Sequence, residues 1–415
     1  MKIAIVGSGI AGLTCAYLLN RQHDIQVFEA SDWIGGHTHT VDVQVEGRSY
    51  AIDTGFIVFN DWTYPNFIRL LEQIGVGFKP TEMSFSVSDP ATGVEYNGHD
   101  LNTLFAQRSN LLSPAFWGML RDILRFNRQS LDDLANNRIS ADTTLGQYLD
   151  SNGYGRRFIE HYIVPMGSAI WSMSLADMLG FPLQFFVRFC KNHGLLSVSD
   201  RPTWQVIEGG SRSYVAPLTA SFAERIRLNC PISRVVRDQD GVTLHSAAGS
   251  ERFDKVIFAC HSDQALALLD QASEKESEIL GALPYANNDV VLHTDTRLLP
   301  KRKLAWASWN YRLGGPSDQP AAVTYDMNIL QGIDSDTTFC VSLNQTAALD
   351  PTVSLAPAPN GDVHIAYTEP SGLIDATLSY RKRAGKSCSA RSTPTIAAPT
   401  GPTVFMRMAW SAHCA

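Results

Sequence analysis

Met1-Lys-Ile-Ala-Ile-Val-Gly7-Ser-Gly9-Ile10-Ala11-Gly12-Leu-Thr-Cys-Ala-Tyr-Leu-Leu19 opens the chain, and the rest is organised around it. Ile3 to Val6 are apolar without alternation, as expected of a parallel strand covered on both faces. Gly7 permits a tight turn, Gly9 lets backbone approach a pyrophosphate, and Gly12 lets the following helix pack closely on the strand. That helix offers its N-terminal N–H groups and a partial positive charge to an anion. A second strand, Ile25 to Phe28, ends in Glu29, and 29 − 12 places this acid seventeen residues past the last glycine. A carboxylate near that spacing takes a ribose hydroxyl pair. The glycines, and the lack of a cleavage site with small residues, speak against a membrane span or export signal.

After Glu29 and Ala30 the chain continues Ser-Asp-Trp-Ile-Gly35-Gly36-His37-Thr38. A nicotinamide site has no need of a glycine pair here, whereas an extended FAD passes over such a turn. Fingerprint, acid and glycine pair in this order resemble the superfamily of flavin-containing amine oxidases, protoporphyrinogen oxidases and phytoene desaturases, and the resemblance runs to about Pro351. It implies FAD as cofactor, with Gly7, Gly9, Ile10, Ala11, Gly12, Glu29, Ala30, Gly35, Gly36, His37 and Thr38 around it. His37 stands where the family usually carries arginine. A histidine, neutral over much of the physiological range, cannot replace the guanidinium fork. By the same resemblance, Asp53, Thr54 and Gly55 bring backbone against the ribityl and ring portions of the flavin, and Val235 passes backbone hydrogen bonds to the adenine. Read by itself, Tyr50 to Asn60 is a strand ending in a tight turn.

Composition sets the outer limits. At 415 residues the chain can hold two domains and a large core, and 44% hydrophobic with 18% charged residues is the balance of a soluble globular protein. A net charge of −7 implies no basic face for nucleic acid. Seven cysteines, at 15, 190, 230, 260, 340, 388 and 414, are scattered without CxxC pairs, which argues for a reducing cytoplasm and against disulfides or a metal centre.

Along the chain, Trp62 to Gly75 has the period of an amphipathic helix closing on a glycine, and Met83 to Asn97 reads as a hairpin. Pro114 to Phe126 and Leu145 to Ile163 read as helices. From Met166 to Phe189 runs an apolar, aromatic stretch that is either core, the lining of a greasy channel, or a face resting on a membrane. Trp204 to Gly210 looks like a strand and glycine turn before a helix over Tyr214 to Arg225. Ile232 to Arg237 and Val242 to His245 form a hairpin around Asp240-Gly241. Lys255 to His261 is a further buried strand ending where a dinucleotide fold needs its sheet to meet the ligand, so that Cys260 and His261 either sit near the cofactor or belong to a capped loop. Trp306, Trp309 and Tyr311 lie on an alternating strand, where Asn310 could orient a polar end of a substrate. Lys301 and Lys303 precede it, either near the flavin or, as is usual for lysines before a strand, solvated.

Past Pro351 the composition turns to Ala, Pro, Ser and Thr without an apolar period. A disordered tail is one account. The other is a frameshift beginning after Asp350. The single codons of Met and Trp largely fix the gene under Phe405 to Trp410, and reading it from the third base gives His or Tyr, Glu, Asp or Asn, then Gly. An acid and a glycine opening a helix are the superfamily's last FAD element, which this chain would then lack.

The expected architecture is α/β: a Rossmann-like FAD-binding domain from residues 1–75 and 200–265, and a mixed helical and antiparallel-sheet substrate domain from 76–199 and 266–350, followed by the anomalous 351–415. The expected activity is that of an FAD-dependent oxidoreductase, whether oxidase, dehydrogenase or desaturase, taking a hydride from an amine or a lipid-like apolar substrate. The competing expectation is a catalytically silent nucleotide-binding protein damaged at its C-terminus. No catalytic acid or base stands out from the sequence.

Overall fold

In the computed structural model, residues 1–283, 285–286, 288–315 and 318–350 are described, together with the backbone of Lys382–Arg383 and Thr403–Phe405. The tail read as frameshifted otherwise lies outside the described residues.

Strand β1, Lys2–Val6, runs parallel to β2, Asp24–Phe28, on one side and to Lys255–Phe258 on the other. Ile226–Arg227 extends the sheet beyond β2, and the backbone of Thr403–Phe405 extends it beyond Lys255–Phe258. Helix α1, Ile10–Leu19, joins β1 to β2. The lack of alternation in β1 has a direct cause. Ile3 and Ile5 point to the face covered by Leu13, Leu218 and Phe222, while Ala4 and Val6 point to the face covered by Val235, Leu244 and Phe253. The second cover is a three-stranded antiparallel sheet, Ile232–Arg237, Val242–Ser246 and Gly249–Phe253.

A six-stranded sheet forms the other large layer, in the order Val290–His293, Cys340–Leu343, Val323–Asp326, Trp309–Arg312, Phe85–Asp89, Val94–Asn97. The antiparallel expectation needs one correction, because Trp309–Arg312 lies parallel to Phe85–Asp89. The chain leaves this sheet after Asn97, builds a helical layer and then the strands between Trp204 and Phe258 that belong to other sheets, and rejoins it at Val290–His293. One face of this sheet, with Val87, Tyr311, Val323 and Val341, packs on the helices through Phe116, Phe126 and Phe186. The opposite face is buried yet polar. The Ser86 hydroxyl donates to Asn310 Oδ1 at 3.2 Å, Thr324 Oγ1 and Ser342 Oγ lie 2.7 Å apart, and His293 Nε2 lies 2.7 Å from Ser342 Oγ. Such a row is tolerated in a core because its members satisfy one another.

The helix expected over Leu145 to Ile163 is broken. Leu145–Ser151 starts on a Thr144–Gln147 capping box, and the chain turns at Gly153, where φ is +61°. It resumes through Arg156–Phe158, a π-helical turn Ile159–Ile163 and the helix Val164–Trp171. The helix predicted from Pro114 runs on to Ala135, whereas Tyr214 to Arg225 holds only Val215–Thr219 flanked by 3-10 turns. Apart from the exposed Leu179, the aromatic stretch packs into or against the core: Met178, Phe181, Leu183 and Phe186 are buried, with the Trp171 ring 4.6 Å from Phe181 and 4.7 Å from Phe189. Among the described residues no helix is long and apolar enough to cross a membrane.

Candidate cofactor site

The glycines between β1 and α1 differ in what a side chain would meet. Gly7 has φ +108°, and a Cβ there would lie 2.9 Å from the Ala259 carbonyl oxygen. A Cβ on Gly12 would lie 1.9 Å from the Gly7 carbonyl oxygen, so helix and turn touch backbone to backbone. A Cβ on Gly9 would meet nothing within 4 Å. That space faces the start of α1, where Gly9 supplies no side-chain cap to the first-turn N–H groups, those of Ile10 and Ala11 among them. The free donors, the dipole and the missing side chain suit a pyrophosphate.

Glu29 ends β2 beside this turn, with its backbone N–H bonded to Arg227 O and Ala30 exposed next to it. Its Oε2 accepts from the Ser8 N–H at 2.8 Å and the Ser8 hydroxyl at 2.7 Å, and Oε1 accepts from the Ser31 N–H at 2.9 Å. The carboxylate is thus aimed at the fingerprint turn, with acceptor capacity left for a sugar hydroxyl.

The glycine pair closes over the same turn. Gly35 N–H donates to the Ser8 carbonyl at 3.1 Å, and a Cβ on Gly36 would sit 3.0 Å from Gly9 Cα. The His37 carbonyl accepts from Phe56 N–H at 2.8 Å and would collide at 2.1 Å with a Cβ on Gly55, so the Asp53-Thr54-Gly55 turn is pressed against it. Thr54 N–H bonds to His39 O, and His39 Nδ1 lies 2.8 Å from Thr54 Oγ1. Thr38 donates its N–H to Gly35 O and shares a short hydroxyl contact with the buried Tyr214.

His37 stacks on His261 with centroids 5.4 Å apart, and His261 stacks on Tyr285 at 4.6 Å. Burial, and then the adjacent His261, push the His37 pKa down to about 4, so the ring is neutral at physiological pH. His261 also occupies the N-cap position of the helix Ser262–Leu268, where its N–H donates to Gln264 Oε1 at 3.2 Å. Tyr285 carries no sequence signal that would have linked it to His37.

Asp53 is fully buried and accepts from the Ser211 N–H, the Ser211 and Thr40 hydroxyls and Gln331 Nε2, while its own N–H donates to Gln331 Oε1. Its side chain therefore joins three chain segments, and only the backbone of this turn remains for a ligand. Burial raises its pKa to about 6 against the opposing pull of those hydrogen bonds. Val235 lies on the edge strand of the covering sheet with its side chain buried, and its carbonyl is already taken by Asp270 N–H at 3.1 Å. Of the two readings open for Asn310, substrate contact or strand packing, its hydrogen bonds favour the second: Oδ1 accepts from the Ala307 N–H and Nδ2 donates to the Thr324 carbonyl. Lys301 and Lys303 are exposed.

A model of the family described as flavin containing amine oxidoreductase matches residues 10–337. Among solved structures, a cyclohexylamine oxidase from Brevibacterium oxydans IH-35A is 17% identical over 85% of this chain and 78% of its own, with a TM-score of 0.60. A putrescine oxidase bound to putrescine is 16% identical over 83% and 76%, at 0.58. A fatty acid isomerase from P. acnes that produces CLA is 15% identical over 92% and 87%, also at 0.58. At such identities the likeness is one of fold. No curated protein matches the sequence.

Proposed function

The chain belongs to the flavin-containing amine oxidoreductase family and is an FAD-dependent oxidoreductase, and from that premise we propose that it takes a hydride from a C–H bond of a small amine or lipid-like molecule. FAD, when bound, supplies the two-electron acceptor. A catalytically silent shell is not favoured, since the family is one of oxidoreductases.

The observation that carries the cofactor placement is the contrast between Gly12, whose Cβ would strike the Gly7 carbonyl at 1.9 Å, and Gly9, whose Cβ would enter open space. A structural turn needs the first. The second is explained by a ligand that a side chain would displace. In this assignment the N-terminus of α1 with Ile10 and Ala11 receives the pyrophosphate, and Glu29, beside Ala30, accepts the ribose hydroxyls. Gly35, Gly36, His37 and Thr38, with the backbone of Asp53, Thr54 and Gly55, form the wall along the rest of the cofactor, and Val235 lies toward the adenine. We assign 1–75 and 200–265 to the cofactor unit and 76–199 and 266–350 to the substrate unit. The same fold serves a cyclohexylamine oxidase and a fatty acid isomerase, which is why both substrate classes are retained. A cytoplasmic compartment is part of the proposal and rests on the scattered cysteines.

Visible absorption tests it. The purified protein is expected to be yellow, or to become so with added FAD, and to bleach anaerobically with a member of a panel of amines and unsaturated fatty acids. A protein that stays colourless after incubation with FAD would refute the assignment.

A further inference from the structure

Of the large apolar side chains that the described residues expose, five lie together: Leu101, Leu111, Leu112, Trp117 and Leu304. Leu112 is 88% exposed, Leu101 76% and Trp117 50%, values far from the partial exposure of a satisfied surface leucine. They sit on one rigid knuckle. Trp117 Nε1 donates to the Leu111 carbonyl at 2.9 Å, and its ring lies 5.4 Å from Phe105. Helix Leu101–Leu104 packs on Lys303–Ala305. Glu95, almost fully buried, ties the parts together: it accepts from Lys301 N–H and the Arg302 guanidinium, both at 2.8 Å, while its carbonyl receives Asn110 Nδ2 at 3.3 Å.

The charge around this knuckle runs against that of the whole chain. The protein carries −7, yet Arg108, Lys301, Arg302 and Lys303 are exposed here, against the exposed carboxylate of Asp100 at the N-cap of Leu101–Leu104. On the helix Pro114–Ala135, the exposed positions Trp117, Arg121, Leu124 and Arg128 follow one another at the spacing of a single stripe. Arg302 is paired with Glu95, but among the described residues Arg108, Arg121, Arg128, Lys301 and Lys303 have no carboxylate partner within ion-pair distance. The Arg108 guanidinium is held by Asn102 and the Phe105 carbonyl, neutral groups that fix its position and leave its charge. Tryptophan and leucines flanked by arginine and lysine, in a chain whose net charge is −7, match an interface of acyl chains beneath anionic headgroups.

We propose that the knuckle of Leu101, Leu111, Leu112 and Trp117, with the basic rim of Arg108, Arg121, Lys301 and Lys303, docks this protein on an anionic phospholipid bilayer. Leu112 and Leu101 enter the headgroup boundary, and the arginines and lysines meet lipid phosphates. The docking is independent of the assigned reaction, because neither the knuckle nor the rim includes a residue placed in the cofactor site.

Sedimentation of the full chain with vesicles tests it, using pure phosphatidylcholine against three parts phosphatidylcholine to one part phosphatidylglycerol. The protein is expected to pellet with the mixed vesicles and stay in the supernatant with the neutral ones, and to be released by molar salt. Leu112→Glu, and separately the pair Lys301→Glu and Lys303→Glu, are each expected to lower the bound fraction about tenfold or more with the thermal midpoint unchanged. Equal binding of the variants and the parent, equal binding to both vesicles, or no binding to either would overturn the proposal. So would a lipid-free dimer, seen by light scattering, that Leu112→Glu dissolves, since a second copy of the chain would then be the occupant.

Discussion

Ser8 gives both of its donors to a single atom of Glu29: the backbone N–H at 2.8 Å and the hydroxyl at 2.7 Å converge on Oε2. The carboxylate at the end of one strand thereby fixes the shape of the turn that leaves its neighbour. Glu29→Ala is expected to cost about 2 kcal/mol of stability, the scale for losing hydrogen bonds to a charged group that is only partly buried. It is also expected to weaken FAD binding by tenfold or more. Urea unfolding and equilibrium dialysis against FAD measure the two effects separately, and an unchanged FAD affinity would remove Glu29 from the cofactor site.

Two single-methyl substitutions in the same loop should behave in opposite ways. Gly12→Ala sets a Cβ 1.9 Å from the Gly7 carbonyl oxygen, and forced displacement of helix from strand is expected to cost about 3 kcal/mol. Gly9 has φ −67° and ψ 175°, which alanine adopts freely, and its Cβ meets nothing. Gly9→Ala should leave the apoprotein within about 0.5 kcal/mol of the parent and still lose FAD affinity. Thermal melts with and without FAD make the comparison, and a Gly9→Ala protein stabilised by FAD as much as the parent would contradict the pyrophosphate placement.

His37 has its pKa lowered to about 4, chiefly by burial and then by the adjacent His261. A folded-state value below the unfolded one of about 6.5 means that the group contributes stability above the unfolded value and loses it as pH falls through the folded one. His37→Phe keeps a ring to stack on His261 and removes the titration. The apoprotein is therefore expected to lose up to about 3 kcal/mol relative to this variant between pH about 6.5 and about 4. Unfolding both proteins across that range provides the difference, and parallel pH profiles would contradict the assignment.

Asp53 should show the reverse sign. Burial raises its pKa to about 6, so its contribution is complete below the unfolded value of about 3.9 and falls away as pH rises through 6. Asp53→Asn retains an oxygen for the Thr40 and Ser211 donors and cannot ionise. The parent minus variant stability is expected to decline by up to about 3 kcal/mol from pH about 4 to about 7, again read from urea unfolding. A flat difference would show that Asp53 titrates as a solvated carboxylate.

The sequence by itself determined the crossing of β1, α1 and β2, because three glycines at fixed spacing, a fully apolar strand and an acid at the end of the next strand each serve one backbone requirement. The hairpins at Phe85–Asn97 and Ile232–Ser246 were equally legible, since turn chemistry and alternation are local. Tertiary structure decided what depends on distant partners. Leu145 to Ile163 breaks where Gly155 gives its N–H to Asp122, thirty-three residues earlier. Asp53 becomes a junction through Gln331, 278 residues away, and Asn310 is consumed by its own sheet rather than offered to a substrate. The Met166 to Phe189 stretch and the Leu101 to Trp117 knuckle are both rich in large apolar groups, yet the first is buried around Trp171 and the second stands in solvent. Periodicity reports which side chains share a face, but only the packed chain decides whether another layer covers it.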